Sequence, residues 1–274
     1  MFKTLEKLNI DNLSKILNLS RYEFLRFVKI APNQYHEVTI RKNDKTRIIE
    51  IPNPTLKKVQ KLLLEKVLYG LHTHPRLYGY PGSSIKKAVS SHVQKPIVIT
   101  IDIKDFFPSV KSSQIEKMFR RRKANERIAR ILITLTTYKK HLPHGSPTSP
   151  CIGRLILNPF ALNLEKMFNR IHPNAFFSIY VDDITISGPE GLKNSIPTIY
   201  KMINRFEFEA NKDKTNIMER DKEQISLNIR LNKRIEPTTK FLKEVEELKE
   251  SLPSLHPTLI GKKAFIKFLF RDEN

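Results

Sequence analysis

Two short apolar runs of β-forming residues constrain the fold of this chain, because each of them meets carboxylates. Ile97–Ile101 leads directly into Asp102, and a predicted hairpin over Phe176–Ser187 carries Asp182 and Asp183 at its tip. Runs of Ile, Val, Phe and Tyr of this length are typical of buried strands. An ionised carboxylate beside such a strand is costly unless a counter-charge compensates it. The pattern therefore predicts a sheet with a cation-binding edge.

If the two segments are neighbours in one sheet, their three carboxylates converge. Hard oxygen ligands of this kind can hold two Mg²⁺ ions roughly 3.5–4 Å apart. One ion lowers the pKa of an attacking hydroxyl, and the other neutralises charge on a leaving pyrophosphate. Taken alone, Asp182-Asp183 also fit an ordinary turn, because aspartate is favoured there. The carboxylates by themselves leave both interpretations open.

The charge of the chain indicates a polyanionic partner. Lys and Arg number 49 against 28 Asp and Glu, which gives a formal net charge of +21. An excess of this size is typical of proteins that bind nucleic acid. The single cysteine, Cys151, permits neither an internal disulfide nor a Cys/His zinc cluster, and it indicates a reducing, cytoplasmic location. No apolar run approaches the ~20 residues of a membrane helix, so we expect no membrane association.

The remaining patterns alternate between helical and β periodicity along the chain. A basic hairpin is predicted from Glu37–Lys42 and Thr46–Ile51, with Asn43-Asp44 as its turn, and a second short hairpin over residues 225–235. The segment from residue 236 onward is helical, amphipathic and basic. Helix N-caps are predicted at Ser20, Thr55 and Ser113.

The carboxylate segments and the elements between them resemble the polymerase motifs of reverse transcriptases. In order, the motifs are Ile101–Ser109, Leu142–Pro150 and Tyr180–Asp183. Three further segments are similar to the fingers hairpin of bacterial members, the fingers motif after it and the end of the palm: Lys45–Pro54, Arg76–Ile85 and Asn211–Thr215. The resemblance extends over residues 35–235.

The resemblance implies a right-hand polymerase fold of the α+β class, with an antiparallel palm sheet. We expect fingers and palm within residues 1–235, with fingers mainly in 1–95 and palm mainly in 96–235, and a short basic helical thumb in 236–274. The implied activity is RNA-directed DNA synthesis by two-metal nucleotidyl transfer. The implied cofactors are two Mg²⁺ ions, for which Mn²⁺ can substitute.

The resemblance also implies roles for individual residues. Asp102, Asp182 and Asp183 would be catalytic and would bind the metals, with the carbonyl of Ile103 as a further ligand. Phe107 stands at the bulky gate that clashes with a ribose 2′-OH. Nucleotide-binding roles are implied for Arg47, Asp105, Phe107, Gly145 and Lys214. Nucleic-acid-binding roles are implied for Lys57, Lys58, Arg76, Ser146, Ser149, Lys262 and Lys263.

Some of these assignments keep alternatives. Arg47 is preferred as the triphosphate clamp because guanidinium makes bidentate phosphate contacts, with Lys42 or Lys45 as alternatives. Lys214 would either protonate the pyrophosphate or hold charge near it. Departures from the family's pattern include His144 in place of a glutamine and Val181 in place of an alanine. Polar roles rather than metal binding are predicted for His92, His141 and His144, which lack ligand spacing.

The compactness of the chain and the Pro147–Pro150 loop most resemble retron reverse transcriptases. These enzymes copy part of a dedicated noncoding RNA and leave a DNA joined to it, which implies a role in anti-phage defence. The implied partners are the noncoding RNA template and primer, the DNA product, deoxynucleotides, and an effector protein or toxin encoded nearby. The alternatives are another defence-associated reverse transcriptase with template-independent or protein-primed synthesis, and a noncatalytic RNA-binding scaffold.

Overall fold

A computed structural model of the chain describes residues 3–42, 45–80, 82–253 and 255–271. The predicted turn Asn43-Asp44 lies outside the described residues, as do the side chains of Lys42 and Lys45. The chain forms two compact units, each built from two stretches of sequence. The first unit comprises Met1–His74 and Lys104–Pro159, and the second comprises Pro75–Ile103 and Phe160–Asn274.

Helices and strands alternate along the chain. The strands are β1 (Tyr35–Lys42), β2 (Lys45–Pro52), β3 (Leu77–Tyr78), β4 (Ile97–Ile103), β5 (Phe176–Tyr180), β6 (Asp183–Gly188), β7 (Ala210–Glu219), β8 (Ile225–Ser226), β9 (Ile229–Arg230) and β10 (Glu236–Pro237). The helices are α1 (Ile10–Ile16), α2 (Arg21–Ile30), α3 (Pro54–Lys66), α4 (Ile85–Ser90), α5 (Phe106–Ser109), α6 (Ser112–Arg121), α7 (Glu126–Thr136), α8 (Ser149–Ile171), α9 (Ile196–Arg205), α10 (Thr239–Ser251) and α11 (Pro257–Phe270). Short 3₁₀ helices lie at Ala31–Asn33, Leu68–Gly70 and Glu190–Ser195.

The first unit packs its helices around a core of buried aliphatic and aromatic side chains and carries the predicted hairpin. Strands β1 and β2 pair antiparallel over their whole length, from Tyr35 opposite Pro52 to Lys42 opposite Lys45, which confirms the hairpin. Side chains in the core of this unit that are fully buried include Phe24, Leu56, Leu63, Phe119, Leu132 and Leu135.

The helix caps agree with the sequence at one site and differ at two. The Ser20 hydroxyl accepts a hydrogen bond from the Glu23 amide at the start of α2, as predicted. At α3 the prediction was wrong, because Asn53 caps the helix and Pro54 occupies its first position. At α6 it was also wrong, since the helix begins at Ser112 and the Gln114 side chain accepts from the Lys111 amide.

The second unit is organised by a five-stranded sheet in the order β3-β5-β6-β4-β7. Its pairs are antiparallel except for β3 with β5, which are parallel. The sheet is thus the predominantly antiparallel one that was predicted, with one parallel edge. Strand β4 is flanked on both sides, and its Ile97, Val98, Ile99, Ile101 and Ile103 side chains are at most 2% exposed. Its largely apolar sequence suits that central, buried position.

The C-terminal helices complete the second unit. Helices α10 and α11 are joined by an ion pair between Lys262 and Glu244 (2.8 Å) and by the rings of Phe241 and Phe265. Leu269 of α11 lies in a buried apolar cluster with Val98. The predicted helical C-terminal segment is confirmed as two helices. No helix in the described ranges combines the length and apolar character needed to cross a bilayer.

Candidate active site

Three carboxylates meet where β4 and β6 lie side by side. Asp102, the penultimate residue of β4, is directly opposite Asp183, the first residue of β6. The amide of Ile103 donates a hydrogen bond to the carbonyl of Asp182 (3.3 Å). The predicted convergence of the two apolar segments at one sheet edge is therefore what the fold produces.

The three carboxylates repel one another. Desolvation raises the pKa of Asp183, the negative charges of Asp182 and Asp102 act in the same direction, and Lys214 opposes them, so that this pKa stands at about 6. Desolvation and neighbouring negative charge both disfavour the ionised form of an acid, and a bound cation would favour it. The cluster is suited to binding a cation.

Asp102 is held by two residues of β7. The Nζ atom of Lys214 lies 2.8 Å from Oδ2 of Asp102, and Nδ2 of Asn211 donates to the same oxygen at 3.3 Å. The register between β4 and β7 shifts between Thr100 and Asp102, and this irregularity sets Asn211 opposite Asp102. Lys214 was predicted as a site residue, whereas Asn211 was only part of a segment similar to the end of the palm.

The hairpin tip that carries Asp182 has a strained backbone. Val181 has a φ of +61°, which is rare for a β-branched residue. Gly79, with a φ of +87°, lies beneath it, and a Cβ atom at this position would be 2.7 Å from Cγ2 of Val181. The Ser83 hydroxyl accepts from the Gly79 amide (3.1 Å) and steadies this turn. Sequence reasoning missed Gly79, because nothing near it in sequence identifies Val181 as its neighbour.

The carboxylate cluster fits divalent metal ions. Its donors are hard carboxylate oxygens, and the negative charges of Asp182 and Asp102 act together with desolvation to raise the pKa of Asp183. Within the described ranges, no group of three or more Asp, Glu, His or Cys side chains is already arranged as a metal cage. Mg²⁺ is usually bound by one or two carboxylates together with waters and substrate phosphates, so a complete protein cage is not required.

The predicted gate residue lies in the first unit. Phe107, in α5, is half-buried, and its ring centroid lies 5.7 Å from that of His144 in an edge-on arrangement. Asp105 precedes α5 with a left-handed backbone (φ +45°) and an exposed side chain. Phe106 turns inward and is buried against Gly153, where a Cβ atom would be 2.7 Å from the Phe106 ring.

The Pro-rich loop is fastened to β2 and to the interior of the first unit. The Gly145 amide donates to the Glu50 carbonyl (3.0 Å), and a Cβ atom on Gly145 would lie 2.6 Å from that oxygen. The Ser146 hydroxyl donates to Gln60 (3.0 Å), and the Ser149 hydroxyl donates to the Pro143 carbonyl (2.6 Å). Both serines are buried, so their side chains hold the loop in place. The predicted contact of these side chains with nucleic acid would require them to be exposed.

The predicted basic residues fall into two groups. The guanidinium of Arg76 lies 4.9 Å from the ring centroid of Phe177, and Lys262 is engaged by Glu244, so both have contacts within the second unit. The other four have exposed side chains: Arg47 on β2, Lys57 and Lys58 on α3, and Lys263 on α11.

His92 has the polar role that was predicted for it. Its ring is fully buried, with Nδ1 2.7 Å from the Ser187 hydroxyl and Nε2 2.9 Å from the Ser178 hydroxyl. Burial lowers the pKa of His92 to about 3, and the positive charges of Lys95 and Arg76 act in the same direction. The imidazole is therefore neutral and joins the turn after α4 to strands β5 and β6.

Comparison with known proteins is consistent with this geometry. Retron Mx65 reverse transcriptase of Myxococcus xanthus is 25% identical over 250 residues, which cover 81% of this chain and 58% of that protein. Retron Ec86 reverse transcriptase of Escherichia coli is 26% identical over 183 residues, which cover 65% of this chain and 57% of that protein. The chain thus spans less than two thirds of the length of these relatives.

Solved structures show the same fold at low sequence identity. Apo telomerase from Candida tropicalis, truncated of its C-terminal domain, aligns with a TM-score of 0.55 at 9% identity, over 74% of this chain and 55% of that one. Telomerase from Candida albicans aligns with a TM-score of 0.54 at 10% identity, over 78% of this chain and 50% of that one. The right-hand polymerase fold that the motifs implied is confirmed.

The sequence profile of one family matches most of the chain. The family is described as reverse transcriptase (RNA-dependent DNA polymerase), and the match runs over residues 40–253. This range includes the paired strand ends that carry Asp102 and Asp183, the hairpin tip and the Pro-rich loop. The chain belongs to the reverse transcriptase family.

Proposed function

We propose that this chain is an RNA-directed DNA polymerase of the retron type, which copies a noncoding RNA template into DNA. The observation that carries the proposal is the convergence of Asp102, Asp182 and Asp183 at adjacent strand ends of one sheet. Family membership and similarity to several retron reverse transcriptases support it. The substrates are deoxynucleotides, the template RNA and a primer end.

The carboxylates account for the metal dependence of the proposed reaction. Asp102, Asp182 and Asp183, with the carbonyl of Ile103, would hold two Mg²⁺ ions, or Mn²⁺ in their place. Such ions activate the attacking hydroxyl and neutralise charge on the leaving pyrophosphate. Lys214 holds an additional positive charge beside Asp102, and Asn211 fixes the orientation of the same carboxylate by its hydrogen bond.

The first unit would select the nucleotide. Phe107 would reject a ribose 2′-OH by steric clash, and Gly145 would keep the loop close to β2. The exposed guanidinium of Arg47 is suited to bidentate contacts with the triphosphate. Asp105 keeps its proposed nucleotide-binding role through the family resemblance.

The wider biological role is part of the same proposal. We infer a fingers and palm region over residues 1–235 and a thumb over 236–274, in the cytoplasm, with a noncoding RNA and its DNA product as partners. The net charge of +21 supports a nucleic-acid partner. A nearby effector or toxin would couple synthesis to anti-phage defence, and a phage plaque assay on cells with and without active protein tests that role.

A template-dependent primer-extension assay tests the activity. We expect wild-type protein to extend a primer on RNA with a sequence dictated by the template, and Asp182→Asn to lose synthesis while it retains RNA binding. Asp221→Asn is the matched control, because Asp221 is an exposed acid of the same unit, in the turn after β7. Asp221→Asn should behave as wild type. Loss of RNA binding in Asp182→Asn would contradict the metal-binding role.

A second experiment addresses the retron assignment. Protein purified from cells is sequenced for bound RNA and DNA, in parallel with Asp182→Asn. One abundant noncoding RNA with a matching DNA only in the wild type supports a retron enzyme. RNA without DNA in both samples supports a noncatalytic scaffold, and DNA without a template-matched sequence supports untemplated synthesis.

A further inference from the structure

One buried carboxylate in the first unit is bound to the loop that follows α7 at several points. Glu50, on β2, is 7% exposed, and one of its carboxylate oxygens accepts from Nε2 of His141 (3.0 Å). The other oxygen accepts from the backbone amide of His144 (3.2 Å) and lies 3.5 Å from Nδ1 of the same residue. The backbone carbonyl of Glu50 accepts from the Gly145 amide.

These contacts keep Glu50 ionised. Burial by itself would raise the pKa of the Glu50 carboxyl, but hydrogen bonds from the His141 ring and the His144 amide hold it below its usual value. A buried carboxylate is stable only with such partners, and it binds them more strongly than a neutral acceptor does. Glu50 therefore fixes both the backbone and the ring of His144.

The ring of His144 also contacts the ring of the proposed gate, Phe107. The ring of His144 is almost perpendicular to that of Phe107, at an interplanar angle of 82° and a centroid distance of 5.7 Å. Such an edge-on contact restricts the ring it touches. Glu50, His144 and Phe107 thus form a continuous series of contacts within one unit.

We propose that Glu50 is a positioning residue for sugar selection, which fixes His144 against Phe107 and so determines how strictly the chain rejects ribonucleotides. The inference rests on the proposed function, in which Phe107 is the gate. A steric gate must refuse a single oxygen atom, and it does so only if its ring cannot move aside. Glu50 acts on the gate through His144 and does not contact the sugar.

Single-nucleotide incorporation tests the inference. The ratio of kcat/KM for dCTP to that for rCTP is measured opposite template guanine in wild type, Glu50→Gln and His144→Ala. We expect the ratio to fall about tenfold in Glu50→Gln, which corresponds to the loss of one hydrogen bond to a charged group. The kcat/KM for dCTP should stay within about threefold of wild type, because the change acts on discrimination.

Glu37→Gln is the matched control. Glu37 lies directly opposite Glu50 in the hairpin, and its carboxylate pairs with Lys139 (2.6 Å) on the segment between α7 and His141. The same substitution there removes one charge from the same hairpin and one contact to a neighbouring part of the chain. It should leave the sugar ratio unchanged.

The double variant separates positioning from a general structural effect. If Glu50 acts through His144, Glu50→Gln with His144→Ala discriminates no less than His144→Ala alone. Additive losses, or an unchanged ratio in a folded Glu50→Gln, would overturn the inference. If Glu50→Gln fails to fold, His144→Ala alone decides, and an unchanged sugar ratio in His144→Ala also overturns the inference.

The wild-type result separates the inference from the proposed function. A wild type without template-directed dCTP incorporation refutes the proposed function and the inference together. An active wild type with an unchanged ratio in the variants refutes only the inference.

Discussion

The Nζ atom of Lys214 forms an ion pair with Oδ2 of Asp102 at 2.8 Å. A carboxylate oxygen assigned to metal binding therefore already faces a cation that belongs to the protein. Two cations near one carboxylate repel each other, so the lysine and the metal compete. Lys214 limits the repulsion among the acids when the metal is absent, and it must shift or share Asp102 when the metal is present.

Removal of this lysine should therefore ease metal binding. We expect Lys214→Met to lower the Mg²⁺ concentration for half-maximal primer extension about fivefold, the effect of losing about 1 kcal/mol from a half-exposed ion pair. Lys214→Arg should keep the wild-type requirement. Lys201→Met, an exposed lysine on α9, is the control. An unchanged or higher Mg²⁺ requirement in Lys214→Met would contradict the competition.

Asp183→Asn should abolish activity and increase the free energy of unfolding. The substitution removes one of three mutually repelling charges, so in EDTA the variant should be more stable than wild type by about 1 kcal/mol after allowance for solvent screening. That gain raises the melting temperature by about 2–4 °C for a domain of 150–250 residues. DNA synthesis should be lost. Asp221→Asn should change neither quantity, and a lower melting temperature in Asp183→Asn would show that the repulsion is negligible.

Two glycines with similar backbones separate conformational strain from steric contact. Gly79 and Gly82 have φ values of +87° and +84°, but an added Cβ meets Val181 at Gly79 and no described atom within 4 Å at Gly82. Both substitutions to alanine carry the left-handed backbone penalty. We expect Gly79→Ala to be less stable than Gly82→Ala by a further 1–3 kcal/mol, about the cost of overpacking, and to lose activity.

Thermal unfolding and primer extension measure the two effects. Val181→Ala in the Gly79→Ala background removes the clashing methyl group. It should restore most of the lost stability and most of the lost primer-extension activity. Equal losses in the two glycine variants would mean that the contact with Val181 is unimportant.

The buried histidine should make the protein acid-sensitive. The folded-state pKa of His92 is about 3, below the 6.5 of an unfolded histidine, so its contribution to stability is complete above pH 6.5 and declines as the pH falls toward 3. At pH 5 the expected loss is about 2 kcal/mol. His92→Gln should show a correspondingly flatter pH profile of urea unfolding between pH 7 and 5. The exposed His72→Gln should follow wild type, and parallel profiles for His92→Gln and wild type would refute the assignment.

Two lysines of the first unit provide a test of RNA contact. Lys57 and Lys58 are exposed on α3, and if both meet phosphates, the double glutamine variant should bind RNA more weakly at every sequence. The slope of log affinity against log salt should decrease by about 0.7–0.9 for each contact removed. Lys7 and Lys15, also exposed in this unit, are the control pair. Equal slopes for the two double variants would mean that α3 makes no special contact.

The acidic site could be predicted from sequence because its signals are local. An apolar run followed by an acidic residue predicts the end of a buried strand from local sequence alone. Pairing of the two strands then brings Asp102 and Asp183 together. The hairpin of β1 and β2 was predictable for the same reason. The cap at α3 was not, since Asn53, Pro54 and Thr55 all favour a helix start and their competition is decided by local geometry.

The supporting contacts could not be predicted, because they join residues distant in sequence. From sequence, Glu50 is indistinguishable from the other polar residues of the hairpin, because its partners His141 and His144 lie about 90 residues further along the chain. Ser146 reads as a polar loop residue until Gln60 of α3 appears beside it in the interior. Gly79 reads as a turn, and only the pairing of β3 with β5 sets it under Val181. Local patterns carry no information about such pairs.

The central position of β4 in its sheet also has a consequence for folding during synthesis on the ribosome. This apolar strand ends at residue 103, but its two neighbours, β6 and β7, begin only at residues 183 and 210. During translation this buried, largely apolar strand therefore emerges long before either partner strand has been synthesised. Late pairing of this kind is slow and leaves the nascent chain prone to aggregation, so chaperones that shield extended apolar segments should determine how much active protein a cell obtains.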